Sequence, residues 1–193
     1  EQHDEDIREM VKADEEDTEA SAIKRSINRL PWLLASAGLN IVIASFLAVF
    51  QGTLSSNVAI VLFQSMILGM AGNIGTQSIS VTILGLTQNK INTKKHIISE
   101  TLIGIINGII SGLIGAVIVY LFFLIFPDNT TDTSKLAITI GISLALSMFI
   151  SALFGVLIPI VLRRFGMDEK AASGPLISTI NDFSALGIYY LIA

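Results

Sequence analysis

Residues 58–87 read VAIVLFQSMILGMAGNIGTQSISVTILGLT, and this stretch decides the fold class of the chain. It lies inside a longer run, Pro31 to Gln88, that contains no charged residue. A helical membrane span needs about 20 apolar residues, so the run is long enough for more than one span. Its apolar residues follow one another without the alternation of a barrel strand, which favours helices. The sequence therefore predicts an all-α membrane protein.

The composition of the whole chain supports this prediction. The 193 residues are 52% hydrophobic and 15% charged, whereas a soluble domain carries about 25% charged residues. Most of the acidic residues fall within Glu1–Glu19, and the net charge of −4 predicts no nucleic-acid surface. The chain has no Cys, which excludes disulfides and thiolate metal sites.

We predict two parts along the chain. Residues 1–30 form a cytoplasmic amphipathic helix, because Ile23, Ile27 and Leu30 recur at spacings of three and four. Residues 31–193 form a membrane domain with five transmembrane helices. The predicted spans are residues 32–50, 58–87, 97–126, 136–162 and 172–193. Because the chain starts at Glu1 without Met, we expect it to be a fragment that lacks a cytosolic part.

Basic residues predict the orientation of these spans. They cluster in the head and in the loops after the second and fourth spans, whereas the other two loops carry only Lys135. Positively charged loops stay in the cytoplasm, so the N-terminus is predicted to be cytoplasmic and the C-terminus outside the plasma or inner membrane. The clustered residues are Lys24, Arg25, Arg29, Lys90, Lys94, Lys95, Arg163, Arg164 and Lys170.

The middle of the second span is rich in glycine and in neutral polar residues. Gly69 to Ser78 reads GMAGNIGTQS. Glycine permits local unwinding, and freed carbonyls together with Asn, Thr and Gln oxygens are ligands suited to hard cations. We therefore predict that this helix is broken or kinked and lines an ion path. The alternative is a tight helix–helix contact made by small residues.

Asp182 is a lone carboxylate in the otherwise uncharged run from Ala171 to Ala193. A charge at the middle of a bilayer costs about 2.5–3.5 kcal/mol on insertion scales, so it is kept for a function. Gly174, Ser178 and Asp182 recur every four residues and share one helical face. A bound cation is the partner we expect for Asp182. The alternative is a buried hydrogen bond to Asn73, Gln77 or Asn107.

Other small residues predict close helix packing. Two stripes have four-residue spacing, and we expect them at helix contacts within or between subunits. We expect Glu100, near the start of the third span, to cap its helix or to lie at the pore mouth. The stripes are Gly104, Gly108 and Gly112 in the third span, and Ser143, Ser147, Ser151 and Gly155 in the fourth.

These motifs together resemble the MgtE family of magnesium transporters. The resemblance is carried by Gly69–Gln77 in the second span and Ala172–Asp182 in the fifth, with Pro31–Leu33 at the start of the first. It implies a homodimer in the lipid bilayer, with a Mg²⁺-selective pore on the two-fold axis. It also implies that hydrated Mg²⁺ is held by Asp182 of both subunits, assisted by Gly69, Asn73 and Ser178. An N-terminal cytosolic Mg²⁺-sensing module, absent from this chain, is implied as well.

Four hypotheses follow from the sequence. The first is a Mg²⁺ channel for uptake, with selectivity among Mg²⁺, Mn²⁺, Co²⁺ and Ca²⁺ left open. The second is a carrier or exchanger with alternating access, which would often show internal repeats that we do not find. The third is an intramembrane hydrolase, but an aspartyl mechanism needs two carboxylates and only Asp182 lies deep in a span. We therefore predict no enzyme activity. The fourth, a structural anchor, would leave Asp182 and Asn73 unexplained.

Overall fold

The chain folds into long α-helices in its computed structural model. The structure describes residues 22–50, 58–88, 92–128, 132–165 and 169–193. A 3₁₀ turn, Ala48–Phe50, follows the first helix. The helices are α1 (Ala22–Leu47), α2 (Val58–Thr87), α3 (Thr93–Ile125), α4 (Thr133–Arg164) and α5 (Glu169–Ile192).

Four of these helical segments are long and apolar enough to cross a membrane, counted over the described residues. They are Leu33–Phe50, Ala59–Thr87, Thr93–Ile125 and Thr133–Arg164. α5 has the length of a span but is not among the four, and it contains the polar pair Asn181 and Asp182. The prediction of an all-helical, multi-pass membrane protein is thus confirmed, and the fifth span stays a prediction.

The predicted boundary between head and first span falls inside one continuous helix. α1 begins at Ala22 and passes through Pro31 to Leu47. Ile23 and Ile27 are helical and exposed, at 73% and 61%, as expected of a helix outside the packed part. The rest of the predicted head, residues 1–21, lies outside the described residues.

The predicted break in the second span is wrong, because α2 is helical without interruption from Val58 to Thr87. Glycine here serves close packing in place of unwinding. A Cβ at Gly155 of α4 would lie 2.6 Å from the Gly75 carbonyl oxygen and 2.9 Å from the Ser78 Cβ. The absence of side chains at both glycines lets α2 and α4 approach at this point. Whether α2 is kinked stays a prediction.

The small-residue stripes lie at helix contacts, as predicted. Gly108 packs against the Ala145 carbonyl of α4, where a Cβ would lie 2.6 Å from the oxygen. Gly104 faces Ala152, and Gly112 faces Gly141, which packs back on Gly112. Ser143, Ser147 and Ser151 of α4 are buried. α3 and α4 therefore cross with their backbones nearly in contact.

The starts of α3 and α4 are capped by side chains that precede them. Asn92 accepts a hydrogen bond from the Lys95 backbone N–H at 3.3 Å, and Asp132 accepts one from the Lys135 N–H at 3.2 Å. The bond from the Lys135 backbone, with the Lys135 ammonium nearby, holds the pKa of the Asp132 carboxyl below its usual range. The prediction that Glu100 caps α3 is wrong, because Asn92 does so and Glu100 lies two turns further on.

Tyrosines tie the C-terminal half of α5 to α2. The Tyr189 hydroxyl donates to the Ile60 carbonyl at 2.7 Å, and the Tyr190 hydroxyl donates to Gln64 Oε1 at 2.6 Å. Buried apolar residues of α2, α3, α4 and α5 surround these contacts and form the main core. α1 reaches this group of helices through Phe46, whose ring centroid lies 5.1 Å from that of Phe183 in α5. The part of α5 that follows Asp182 is thus held in place.

Candidate functional site

Asp182 stands half-buried on α5 without a partner. It makes no hydrogen bond or ion pair with any residue in the part of the chain that the structure describes. The alternative of a buried hydrogen bond to Asn73, Gln77 or Asn107 is therefore not what the subunit forms. Ser178, one turn earlier, is exposed. These two residues give α5 one open polar side, as the four-residue spacing predicts.

α2 presents a polar face that no other described helix covers. Its exposed residues recur every three or four positions, whereas Ile67, Ala71 and Ile74 between them are buried. The exposed residues of this face are Gly69, Asn73, Thr76, Gln77 and Ser80. Because neutral polar groups in a membrane span avoid lipid, this face is expected to lie against protein or water. We call it the α2 polar face.

The hydroxyl groups on the α2 polar face are bonded to their own helix. Thr76 donates to the Gly72 and Asn73 carbonyls at 3.0 and 2.9 Å, and Ser80 donates to the Thr76 carbonyl at 2.8 Å. A hydroxyl that donates inward still has lone pairs outward. Asn73 and Gln77 make no hydrogen bond with the described residues. The face therefore offers neutral oxygen acceptors along several turns.

The two polar sides lie at the same height in the subunit. Gly75 of α2 packs directly against the Asn181 side chain of α5. Asn73 and Asp182 are close neighbours of these contacting residues in sequence, so they occupy one level of adjacent helices. The structure thus brings α2 and α5 together where the sequence predicted a site, without forming a direct bond between Asp182 and Asn73.

One subunit supplies too few acidic ligands to enclose a cation. Among the described residues no group of three or more His, Cys, Asp and Glu side chains could hold a metal ion. Mg²⁺ takes six oxygen ligands in near-octahedral geometry and usually keeps several of its waters, held by one or two carboxylates. A lone Asp182 with amide and hydroxyl oxygens fits a hydrated divalent cation only as part of a larger site.

Comparison with known proteins identifies the family. Residues 64–192, which include both α2 and α5, match the model of the MgtE family, described as a divalent cation transporter. This chain belongs to the MgtE family. The match covers both polar sides described above, and the resemblance seen in the sequence is confirmed. The family is described as one of transporters, and no enzyme activity is part of that description.

Curated relatives of this MgtE-family chain carry the same family name. The magnesium transporter MgtE of Bacillus subtilis is 33% identical over 91% of this chain. The magnesium transporter MgtE of Enterococcus faecalis is 30% identical over 95% of the chain, and that of Thermus thermophilus is 28% identical over 98%. The chain spans 38%, 40% and 41% of the length of these three relatives.

Two features next to the site could not be read from the sequence motifs. Asn181 directly precedes Asp182 but points into the protein, 2% exposed, instead of sharing the open side with Ser178. The second feature is a set of buried polar contacts between α2 and α3, where the Ser78 hydroxyl donates to Glu100 Oε2 at 2.9 Å. A hint of the role of Asn181 in the sequence is its position next to Asp182. Residues that share a helical face with Asp182 recur every fourth position, however, and Asn181 is not one of them.

Proposed function

We propose that this MgtE-family chain is the pore-forming membrane domain of a Mg²⁺ channel that acts as a homodimer. In this proposal Asp182 of both subunits holds hydrated Mg²⁺ on the two-fold axis, and Gly69, Asn73 and Ser178 contribute further contacts. The observation that carries the proposal is the unpartnered, half-buried Asp182 beside the open α2 polar face. A second copy would supply the second carboxylate and cover the face.

The remaining parts of the proposal follow from charge and length. α5 is the fifth span, because its 24 residues would be about 36 Å long at 1.5 Å per residue, against about 30 Å of hydrocarbon. Five spans with basic cytoplasmic loops place the N-terminus inside and the C-terminus outside a plasma or inner membrane. As the family resemblance implies, residues 1–30 connect the pore domain, residues 31–193, to a cytosolic sensing module. The transmembrane potential, which is negative inside the cell, then drives Mg²⁺ uptake.

A channel fits better than a carrier with alternating access. Carriers of many folds have two structural repeats that rock around a central site. The five helices that the structure describes do not divide into equal halves. The continuous α2 also lacks the broken helix that many such carriers use.

The test is Mg²⁺ flux into liposomes that contain the purified chain and a Mg²⁺ indicator. Asp182→Asn keeps the size of the side chain and removes two charges from the dimer, so we expect flux to fall to that of empty liposomes. Asp132→Asn makes the same chemical change at the exposed start of α4 and should leave flux unchanged. Equal flux in wild type and Asp182→Asn would falsify the proposed site.

A further inference from the structure

The Asn181 side chain is buried directly beside the proposed ion ligand, and its amide oxygen has no hydrogen bond among the described residues. The residue is 2% exposed. Burying a polar group without a partner destabilises a protein. An apolar residue would avoid this cost, so the place of Asn181 in the fold calls for a physical reason other than hydrogen bonding.

The Asn181 side chain fills a notch that only glycine leaves open. A Cβ at Gly75 would collide with Asn181 Nδ2 and also meet the Ser151 hydroxyl of α4. The Ser151 hydroxyl donates its single proton to the Ala71 carbonyl of α2. From the same side of α2, Gly155 packs on the Gly75 carbonyl. We call this meeting point of α2, α4 and α5, made by Gly75, Ser151, Gly155 and Asn181, the Gly75 joint.

The Gly75 joint sets the direction in which Asp182 leaves α5. Consecutive residues of an α-helix point about 100° apart, so the direction of Asn181 determines that of Asp182. The ties made by Tyr189 and Tyr190 lie seven and eight residues further along α5. The joint is one residue from Asp182 and therefore controls its orientation most directly.

We infer that Asn181 is a positioning residue, which orients Asp182 toward the ion path by fitting its amide against Gly75. This rests on the proposed function of Asp182. Asn181 does not touch the ion in this account. It acts by the fit of its side chain, because its Oδ1 has no partner among the described residues and the Ser151 hydroxyl proton is already given to Ala71. The geometry of the ion site then depends on a glycine and an asparagine that face away from it.

The test compares the half-saturating Mg²⁺ concentration for flux in Gly75→Ala, in Asn181→Ala and in the double variant. Gly75→Ala forces the amide away, and we expect its half-saturating concentration to rise at least about tenfold, as misplacement of a binding group does. Asn181→Ala removes the orienting amide, and we expect a smaller rise. In the double variant the collision with the amide is gone, so its value should return toward that of Asn181→Ala. We expect the half-saturating concentration of the double variant to be about fivefold lower than that of Gly75→Ala. A difference of this size is within the range of interaction energies between contacting residues.

Gly38→Ala is the matched control, because it adds the same methyl group to a helix, α1, where no atom lies within 4 Å, and it lies outside the α2 polar face that the proposed second copy covers. Flux is normalised to the protein that elutes as a single folded species, since a purely structural role would lower that amount and leave its Mg²⁺ dependence unchanged. If Gly75→Ala does not fold, Asn181→Ala alone tests the inference, because this variant only removes atoms. The expected result is still a rise in its half-saturating Mg²⁺ concentration.

The outcomes separate this inference from the proposed function. Loss of flux in Asp182→Asn, combined with wild-type Mg²⁺ dependence in Asn181→Ala or in folded Gly75→Ala, overturns the positioning role alone. The two residues act independently if the half-saturating concentration of the double variant rises by the product of the two single rises. That result also overturns the positioning role. Undiminished flux in Asp182→Asn rejects the proposed function and this inference with it.

Discussion

The Glu100 carboxyl lies between α2 and α3, 8% exposed, and within the described residues one hydrogen bond reaches it, from the Ser78 hydroxyl. One turn along α2, Thr82 donates its single hydroxyl proton to the Ser78 carbonyl at 2.6 Å. Its oxygen must therefore accept from His96 Nε2, 2.9 Å away, so this nitrogen carries a proton. Four polar side chains thus join the C-terminal half of α2 to the start of α3, and the two helices otherwise make few contacts.

Ser78→Ala should therefore destabilise the chain, because it leaves a buried carboxyl without a partner. The expected loss is about 1–3 kcal/mol in the free energy of unfolding. Glu100→Gln keeps an acceptor for Ser78 and should cost less. The measurement is thermal unfolding in detergent. Ser80→Ala is the control, because the Ser80 hydroxyl bonds only within its own helix. If Ser78→Ala and Ser80→Ala unfold at the same temperature, the bond to Glu100 contributes nothing.

Residues differ in how far their roles could be predicted from sequence. Asp182 is conspicuous because a charge in an apolar run is costly wherever it points. The predicted role of Glu100 as a helix cap is wrong, because it was based only on closeness to a helix start. The partner of Glu100 is Ser78 of the preceding helix, 22 residues away in sequence. Asn181 was missed for the same reason. A residue's burial depends on which helix packs against it, and spacing along one helix does not contain that information.

At the level of helices, the α3–α4 crossing depends on glycine more than on large apolar side chains. In lipid, helices gain little from hydrophobic burial against each other, so close backbone packing holds them together. The outward faces of α3 carry exposed apolar residues such as Ile106, Leu113 and Leu124, as a lipid-facing surface requires. The crossing should therefore tolerate changes on its lipid side and fail when a side chain is added between the backbones.

Gly108→Leu tests this dependence. The new side chain would enter where a Cβ already lies 2.6 Å from the Ala145 carbonyl oxygen. Overpacking of this kind costs about 1–3 kcal/mol, and more where backbone atoms must move. Gly38→Leu in α1 adds the same side chain where nothing lies within 4 Å and should be neutral. Gel filtration and thermal unfolding in detergent measure both. Equal stability of the two variants would contradict the packing role.

At the level of the whole molecule, the single subunit leaves its most polar membrane face uncovered. The α2 polar face has open acceptors, and Asp182 beside it has no partner among the described residues. Two-fold assembly is the commonest way for a chain to cover such a surface with its own copy. The homodimer proposed above thus accounts for both features at once, with a wet axis between the copies.

Cysteine substitution can test that assembly, because the chain has no natural Cys. Asn73→Cys should react with a water-soluble thiol reagent and form a covalent dimer with a short bifunctional reagent, since it would line a wet axis. Ile118→Cys on α3 is comparably exposed in the subunit, yet it should resist both reagents because it faces lipid. Denaturing gels report the products. Equal labelling of the two positions, or Asn73→Cys that remains monomeric, would argue against the dimer axis.

Helix positions could be predicted because polar stretches of sequence, most of them charged, separate the apolar runs. The predicted second span, residues 58–87, has the bounds of α2, and the third and fourth predicted spans begin and end within four residues of α3 and α4. The angles and contacts between helices could not be predicted. They depend on which small residues meet, such as Gly75 with Asn181 or Gly108 with Ala145.

The unbroken course of α2 has a consequence for permeation. In a continuous helix each carbonyl is already engaged by an amide four residues on, so the free lone pair of a carbonyl such as that of Gly69 can accept a hydrogen from the ion's water but does not replace that water. Mg²⁺ gives up that water reluctantly. In the proposed pore the ion therefore travels as an aqua complex, and amides, hydroxyls and carboxylates recognise the hydrogens of its coordinated waters. Discrimination then acts on the size and geometry of the hydrated complex and not on the bare ionic radius. Throughput is likewise not limited by the rate at which water leaves the metal.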